Sequence, residues 1–278
     1  MEKRLENEKI EINLLLMAIF LKYGYDFRTY SNAHVRRRIR RRVKLGGFES
    51  ISALQHRVIY DDLFLNTILT DLSINVTEMF RDPSFFLAVR REVVPLLATH
   101  PFVRVWHAGC ATGEELYSMA ILLKEEGLFD RVQFYATDFN DAVLQKAREG
   151  IVPAKSLKEY TENYQRGGGC HSFADYYTAK YERAIIDTSL KEKVVFANHN
   201  LVTDQVFGEM QMIVCRNVLI YFSQELQNRV IRLFYESLCR GGILCLGSRE
   251  SLRFSDLSGK FEQLLPNEQI YRKKYGSG

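Results

Sequence analysis

From Val103 onward, short apolar runs of strand length alternate with amphipathic segments of helix length, and this alternation restricts the fold more than any other feature. Residues 103–108, 131–137, 193–197, 211–215 and 243–246 read as buried strands. Residues 113–126, 141–149 and 223–239 read as helices, with Gly241-Gly242 turning the chain into the last of those strands. Strands separated by helices cannot pair as hairpins, so they predict a mostly parallel sheet covered on both faces. Residues 262–265 and 269–273, around Pro266-Asn267, suit a closing antiparallel hairpin.

The alternation breaks between Gly150 and Lys193. Gly167-Gly168-Gly169 reads as a flexible turn, and residues 176–187 are rich in β-formers. An inserted subdomain or lid at about 155–192 is expected. Before residue 72 the pattern is helical. Leu14, Leu15, Ala18, Ile19 and Lys22 give one apolar-rich face of a first helix that stops near Gly24. Ser31 or Asn32 can cap a second helix ending at Gly46-Gly47, and residues 49–57 and 61–72 fit two shorter ones. The expected organisation is a helical domain over 1–72, a linker over 73–83 and an α/β domain over 84–275.

Composition narrows the function. The chain is 46% hydrophobic and 26% charged, as expected of a globular protein. Its longest apolar run, residues 14–21, is shorter than the roughly 20 residues that span a bilayer. The charged start does not read as a secretory signal, so a cytoplasmic protein without membrane insertion is expected. The five cysteines form no CxxC pair and the six histidines no ligand-like pair, so no metal site is expected.

The strand over 103–108 runs into Gly109-Cys110-Ala111-Thr112-Gly113-Glu114-Glu115. In a doubly wound sheet, ligands bind beyond the carboxyl ends of the strands. This loop lacks the third glycine of a dinucleotide fingerprint and carries two acids where a pyrophosphate would need positive potential. Acids suit a ligand with a cationic end, such as S-adenosylmethionine, although a tight strand-to-helix turn with a capping acid accounts for the same residues. The next strand ends in Asp138, placed to accept ribose hydroxyls or to cap the following helix. Asn200 and Leu201 can hold an adenine edge and face. Arg216 and Asn217 bring polar groups to another strand end, and Tyr221 suits either the reacting centre or an apolar core.

Four segments occur in order: Asn75-Val76-Thr77-Glu78-Met79-Phe80-Arg81-Asp82-Pro83, the loop from Ala108 to Glu115, Ala136-Thr137-Asp138, and Cys215-Arg216-Asn217-Val218-Leu219-Ile220-Tyr221-Phe222. Together they closely resemble the CheR family of chemoreceptor glutamate methyltransferases, over nearly the whole chain. The resemblance implies a helical N-terminal domain and a Rossmann-like methyltransferase domain with a small inserted β-subdomain. It implies S-adenosylmethionine as methyl donor, with S-adenosylhomocysteine as product. The implied cofactor-site residues are Asn75, Thr77, Arg81, Gly109, Glu115, Asp138, Asn200, Leu201, Arg216 and Asn217, with Arg81 and Tyr221 nearest the transferred methyl. Glu114 can exchange roles with Glu115. Met79, Ala111 and Ser248-Arg249-Glu250 depart from the usual Phe, Ser and His-Ser-Glu. The longer insertion bears on partner choice.

Residues 35–44 hold six arginines and a lysine in a chain whose net charge is only +4. Such a helix is either a solvated face or an anion-seeking surface that docks acidic helices of a chemoreceptor-like protein. Nucleic acid is the disfavoured partner, because no basic strand interleaved with aromatics and no zinc pattern accompanies it. A nucleic-acid methyltransferase and a non-catalytic S-adenosylmethionine-binding signalling module are the competing functions.

Overall fold

The computed structural model describes residues 2–28, 30, 32–72 and 77–275. Contacts divide the chain into one unit of Met1–Asn75 with Tyr221–Arg229, and another of Val76–Ile220 with Val230–Gly278. The first contains α1 (Glu2–Tyr23), α2 (Asn32–Leu45), α3 (Ile51–Tyr60) and α4 (Asp62–Leu72). Ile12, Leu15, Leu16 and Ile19 are buried at the three-to-four-residue spacing that makes one helix face, whereas Leu14, expected on that face, is exposed because it lies off the buried stripe. α1 stops where Gly24 takes φ +78° and its N–H returns to Phe20 O. Val35 and Ile39 turn the inner face of α2 into the same core. Ser50 Oγ accepts from Ala53 N–H to start α3, and Asp61 accepts from Leu63 and Phe64 N–H at the start of α4. α1 packs on α3 and α2 on α4.

The second unit opens with α5 (Pro83–Ala88), which runs through a π-helical turn (Val89–Val93) into α6 (Val94–Ala98). There follow β1 (Val103–Ala108), α7 (Glu114–Glu125), β2 (Val132–Asp138), α8 (Asp141–Glu149), β3 (Ile151–Pro153), α9 (Leu157–Arg166), β4 (Tyr177–Lys180), β5 (Arg183–Ile186), β6 (Val194–Asn198) and β7 (Met210–Cys215). The last elements are α10 (Gln224–Ser237), whose first residues to Arg229 count with the other unit, β8 (Leu238–Leu246), β9 (Phe261–Leu265) and β10 (Ile270–Lys273).

Seven strands form one sheet in the order β6-β2-β1-β7-β8-β10-β9. The first five are parallel, and β10 lies antiparallel between β8 and β9. The chain moves outward from β1 to β2 and β6, then returns to β7 on the other side of β1. Strand order therefore reverses at β1/β7, and the crevice beyond their carboxyl ends is the natural ligand position. Val105 stands opposite Met212, and His107 opposite both Ala136 and Val214. β1 is buried at every position except Arg104.

Two expectations need correction. Gly241-Gly242 does not form a turn before the last parallel strand but lies within β8. Leu238 stands opposite Met210 and Ile243 opposite Met212, so the residues between loop out as a bulge, with Gly241 at φ +74°. Nor is Gly167-Gly168-Gly169 a loose turn. Gly167 N–H donates to Asn163 O and Gly169 N–H to Tyr164 O, closing the end of α9. A Cβ on Gly169 would stand 2.2 Å from the Tyr164 ring. Position 169 is small because the Tyr164 ring occupies the space, and Gly168 takes φ +83°.

The insertion folds as a three-stranded antiparallel sheet, β3-β5-β4, with α9 beside it. β4 and β5 match the predicted β-rich stretch, whereas the short β3 and α9 were not anticipated. The Glu125 carboxylate of α7 accepts from Tyr164 and Tyr176 of the insertion and from Arg90 of the π-turn. Arg90 also donates to Gly167 O at 3.2 Å and to Glu126 at 2.8 Å. Among the described residues no helix is long and apolar enough to cross a membrane.

Candidate active site

The loop after β1 is shaped by its glycines. Gly109 takes φ +78°, and a Cβ there would lie 2.7 Å from a Val218 methyl. The N–H groups of Gly109 and Cys110 both donate to Thr137 O, which stitches the loop to the end of β2. Gly113 at φ +91° starts α7. Between them Ala111, also at positive φ (48°), donates its N–H to Asp138 Oδ2 at 3.0 Å. Asp138 Oδ1 accepts from Asn140 N–H at 3.0 Å. Burial outweighs these backbone donors and pushes the Asp138 carboxyl up to about 6.

The two acids opening α7 have opposite surroundings. Glu114 is buried and accepts from Thr112 Oγ1 at 2.7 Å, and burial raises its pKa. Burial also acts to raise Glu115, but the adjacent His107 ring and the Arg216 charge outweigh it and hold Glu115 below the usual carboxylate range. Arg216 Nη1 donates to Glu115 Oε2 at 2.8 Å and Nη2 to Asp82 Oδ2 at 2.7 Å. The guanidinium lies 4.0 Å from the Phe85 ring centre.

Arg81 sits in a constrained reversal. Phe80 and Asp82 on either side both take positive φ, 53° and 56°, a backbone state that costs an ordinary residue about 1–3 kcal/mol. Phe80 is anchored by its N–H to Ser118 Oγ at 2.8 Å and by ring contacts with Phe86, Tyr164 and Phe173. Arg81 O accepts from Arg216 Nη1 at 3.4 Å. The reversal is thus pinned from α7, from the insertion and from the end of β7.

Asn217, at φ +61°, donates its N–H to Glu250 Oε2 at 3.0 Å. The buried Glu250 carboxylate also gathers the N–H groups of Gly247 and Ile220. Asn200 Oδ1 caps its own loop by accepting from Val202 N–H at 3.0 Å, and Leu201 is buried beside it. Thr77 is half-buried. Asn75 lies outside the described residues. Tyr221 belongs to the first unit, where its ring meets that of His34 at 5.2 Å. The structure thus gathers Gly109, Glu115, Asp138, Arg216 and the Arg81 backbone around the ends of β1, β2 and β7.

Sequence reasoning missed Asp82, His107 and Glu250. Asp82 reads as a residue before a helix-starting proline, and nothing local reveals its ion pair with a residue beyond β7. One group among the described residues, Glu125, Cys170 and His171, brings three potential metal ligands within 4.8 Å. Its Glu125 is already occupied by Arg90, Tyr164 and Tyr176.

In the first unit the basic residues of α2 divide. Arg36 and Arg40 bracket Glu8, whose carboxyl they hold down at about 2. Arg42 pairs with Asp71, and Arg38 donates to Asp71 O. Arg37, Arg41 and Lys44 are exposed and line one shallow surface cradle with Arg36, Arg40 and Ala33.

The cofactor implied by this fold fits the residues present. A buried carboxylate ends β2, a glycine loop opens close backbone approach, and Arg216 Nε lacks a hydrogen-bond partner. A seven-stranded sheet with β10 reversed at its penultimate position and an acidic first loop defines a Rossmann-like, S-adenosylmethionine-dependent methyltransferase. Residues 75–268 match the S-adenosylmethionine-binding domain of CheR methyltransferases and residues 10–73 their all-alpha domain, and the chain belongs to that family. A Pseudomonas putida protein described as a candidate methyltransferase, Cher3, is 54% identical over 96% of this chain and 98% of its own length. The chemotaxis protein methyltransferase of Listeria innocua is 29% identical, covering 82% of this chain and 85% of its own. Chemotaxis protein methyltransferase 2 of Vibrio cholerae is 29% identical, over 84% and 82%.

Proposed function

We propose that this protein methylates glutamate side-chain carboxylates on a chemoreceptor-like protein, giving methyl esters. The observation that carries the reading is the Arg81 reversal, tied through its carbonyl to Arg216 and so to Glu115. In this reading the stiff Arg81 backbone supports a cationic side chain that serves an acid-lined cofactor crevice. The relatives named chemotaxis protein methyltransferase support the choice of acceptor.

S-adenosylmethionine supplies an electrophilic methyl. A glutamate acceptor is already ionised at neutral pH, so the enzyme needs no general base. Its task is to hold the acceptor oxygen in line at near-attack distance, where most of the available rate gain lies. In this reading Arg81 holds the acceptor carboxylate by charge-assisted hydrogen bonds, and Tyr221 orients it. Asp138 accepts the ribose hydroxyls, Glu115 receives the cationic end of the cofactor, and Asn200 with Leu201 holds the adenine. Thr77, Asn75, Arg216 and Asn217 complete the walls. The exposed cations of α2 attract the acidic face of the receptor.

The test is incubation with radiolabelled S-adenosylmethionine and receptor cytoplasmic fragments. Label released as methanol by mild alkali is expected, since methyl esters hydrolyse. Alkali-stable label, or label in nucleic acid, would overturn the reading. Arg81→Ala is expected to cut turnover far more than Tyr221→Phe without unfolding the protein.

A further inference from the structure

We infer that His107 is a positioning residue for the cofactor site, supplying from beneath the N–H that fixes the Glu115 carboxylate. The inference rests on the reading that Glu115 faces the cofactor. His107 is the penultimate residue of β1, and its row across the sheet holds Ala136, Val214 and Cys245. That row is otherwise apolar, and the His107 side chain is 1% exposed.

Neither ring nitrogen of His107 has a hydrogen-bond partner within the protein. An imidazole carries at least one N–H in any protonation state, and a buried N–H without a partner is unfavourable. One ring nitrogen nevertheless stands near an acceptor. Nδ1 stands 3.7 Å from Glu115 Oε1, and closing by about 1 Å would make a hydrogen bond. Glu115 Oε2 is meanwhile held by Arg216. The carboxylate therefore sits between two donors on the protein side, one engaged and one waiting. A carboxylate that turns to meet a cation in the crevice needs its other oxygen restrained, and His107 stands on the β1 side to do so.

A residue that served only the core would be better replaced by leucine. A core role thus predicts a gain in stability with binding unchanged, and a positioning role predicts that gain together with a loss of binding. Calorimetric titration of S-adenosylmethionine and thermal unfolding are measured for His107→Leu, His107→Asn, His107→Gln and Glu115→Gln in the full chain. His107→Leu is expected to unfold at a higher temperature than the parent yet bind the cofactor about tenfold more weakly, the worth of a hydrogen bond to a charged group. His107→Asn places an amide N–H near the Nδ1 position and should restore most of the affinity. His107→Gln reaches past it and should not. Parent-like affinity in His107→Leu, or equal affinities in the Asn and Gln variants, would overturn the inference. Glu115→Gln separates the two layers. If it binds like the parent, the reading of Glu115 itself fails. If it binds weakly while His107→Leu does not, only the role of His107 is lost.

Discussion

The Arg216 guanidinium donates to the Glu115 carboxylate at 2.8 Å while its own side chain is only 1% exposed. A charge so enclosed is expensive to strand. Replacing Arg216 by Met leaves Glu115 and Asp82 without their cation, and a broken buried pair of this kind costs about 3 kcal/mol. The Arg216→Met/Glu115→Gln double variant should recover part of that loss, because no uncompensated carboxylate remains at position 115. Urea denaturation of the two single variants and the double variant measures the coupling. Strict additivity would mean that the two side chains do not depend on each other.

Asp138 gives the cofactor site a pH dependence with a definite sign. Its folded-state pKa, pushed up to about 6 by burial, lies above the ordinary aspartate value of 3.8. Between those two values the folded protein binds the proton more tightly than the unfolded chain, so this group makes the fold less stable as pH rises through that window. If Asp138 accepts the ribose hydroxyls as proposed, cofactor binding runs the other way, since the ionised carboxylate is the better acceptor. Affinity for S-adenosylmethionine is expected to fall as pH drops through about 6. Asp138→Asn should bind weakly and lose that step, as titration calorimetry across the range would reveal.

Glu250 ties two loops together through the N–H groups of Gly247, Asn217 and Ile220. Glu250→Ala would leave one buried and two half-buried donors unmatched, at a cost of about 3 kcal/mol. Glu250→Gln keeps one acceptor oxygen and should cost less. Because Asn217 is held at positive φ by this contact, cofactor affinity should fall with stability in the Ala variant. Unchanged denaturation midpoints would show that the carboxylate is dispensable.

The triple glycine offers a sharper packing test. Tyr164 is fully buried, and its hydroxyl is hydrogen-bonded to Glu125, so its ring has little freedom to move away from a Cβ at position 169. Gly169→Ala is expected to cost about 3 kcal/mol by overpacking. An exposed glycine such as Gly127, with nothing within 4 Å of its Cβ position, loses only what its positive φ demands. Thermal unfolding of the two alanine variants separates crowding from backbone strain.

What the sequence displayed and what it hid follow from the same physics. β1, β2 and β7 are largely buried runs at the centre of a sheet, so their apolar signal stands out from the flanking loops. α7 and α8 announce themselves through the glycine loop and the Asn140 cap. β3 has only three residues and ends in a proline, too few for any period to register. α9 is mostly polar, and its two buried tyrosines, Tyr160 and Tyr164, resemble an ordinary loop pattern. At the site, glycines and acids at strand ends are local signals. The Asp82–Arg216 pair, the His107–Glu115 approach and the Glu250 clasp join residues distant in the chain or hidden within a strand, and only the folded sheet brings them together.

The arginines of α2 should separate by function when charge is reversed. Arg42 is engaged with Asp71, so Arg42→Glu places two acids face to face and should destabilise the helical unit. Arg37 and Arg41 are exposed on the cradle face, so their reversal should leave unfolding and S-adenosylmethionine affinity nearly unchanged. If this face draws in an acidic receptor helix, Arg37→Glu/Arg41→Glu raises KM for receptor about tenfold at low ionic strength with little change in kcat. The gap between variant and parent should shrink toward 0.5 M salt, where screening shortens the reach of surface charge to a few ångströms. A KM that is unaltered by the double reversal at low salt would place receptor docking on another surface.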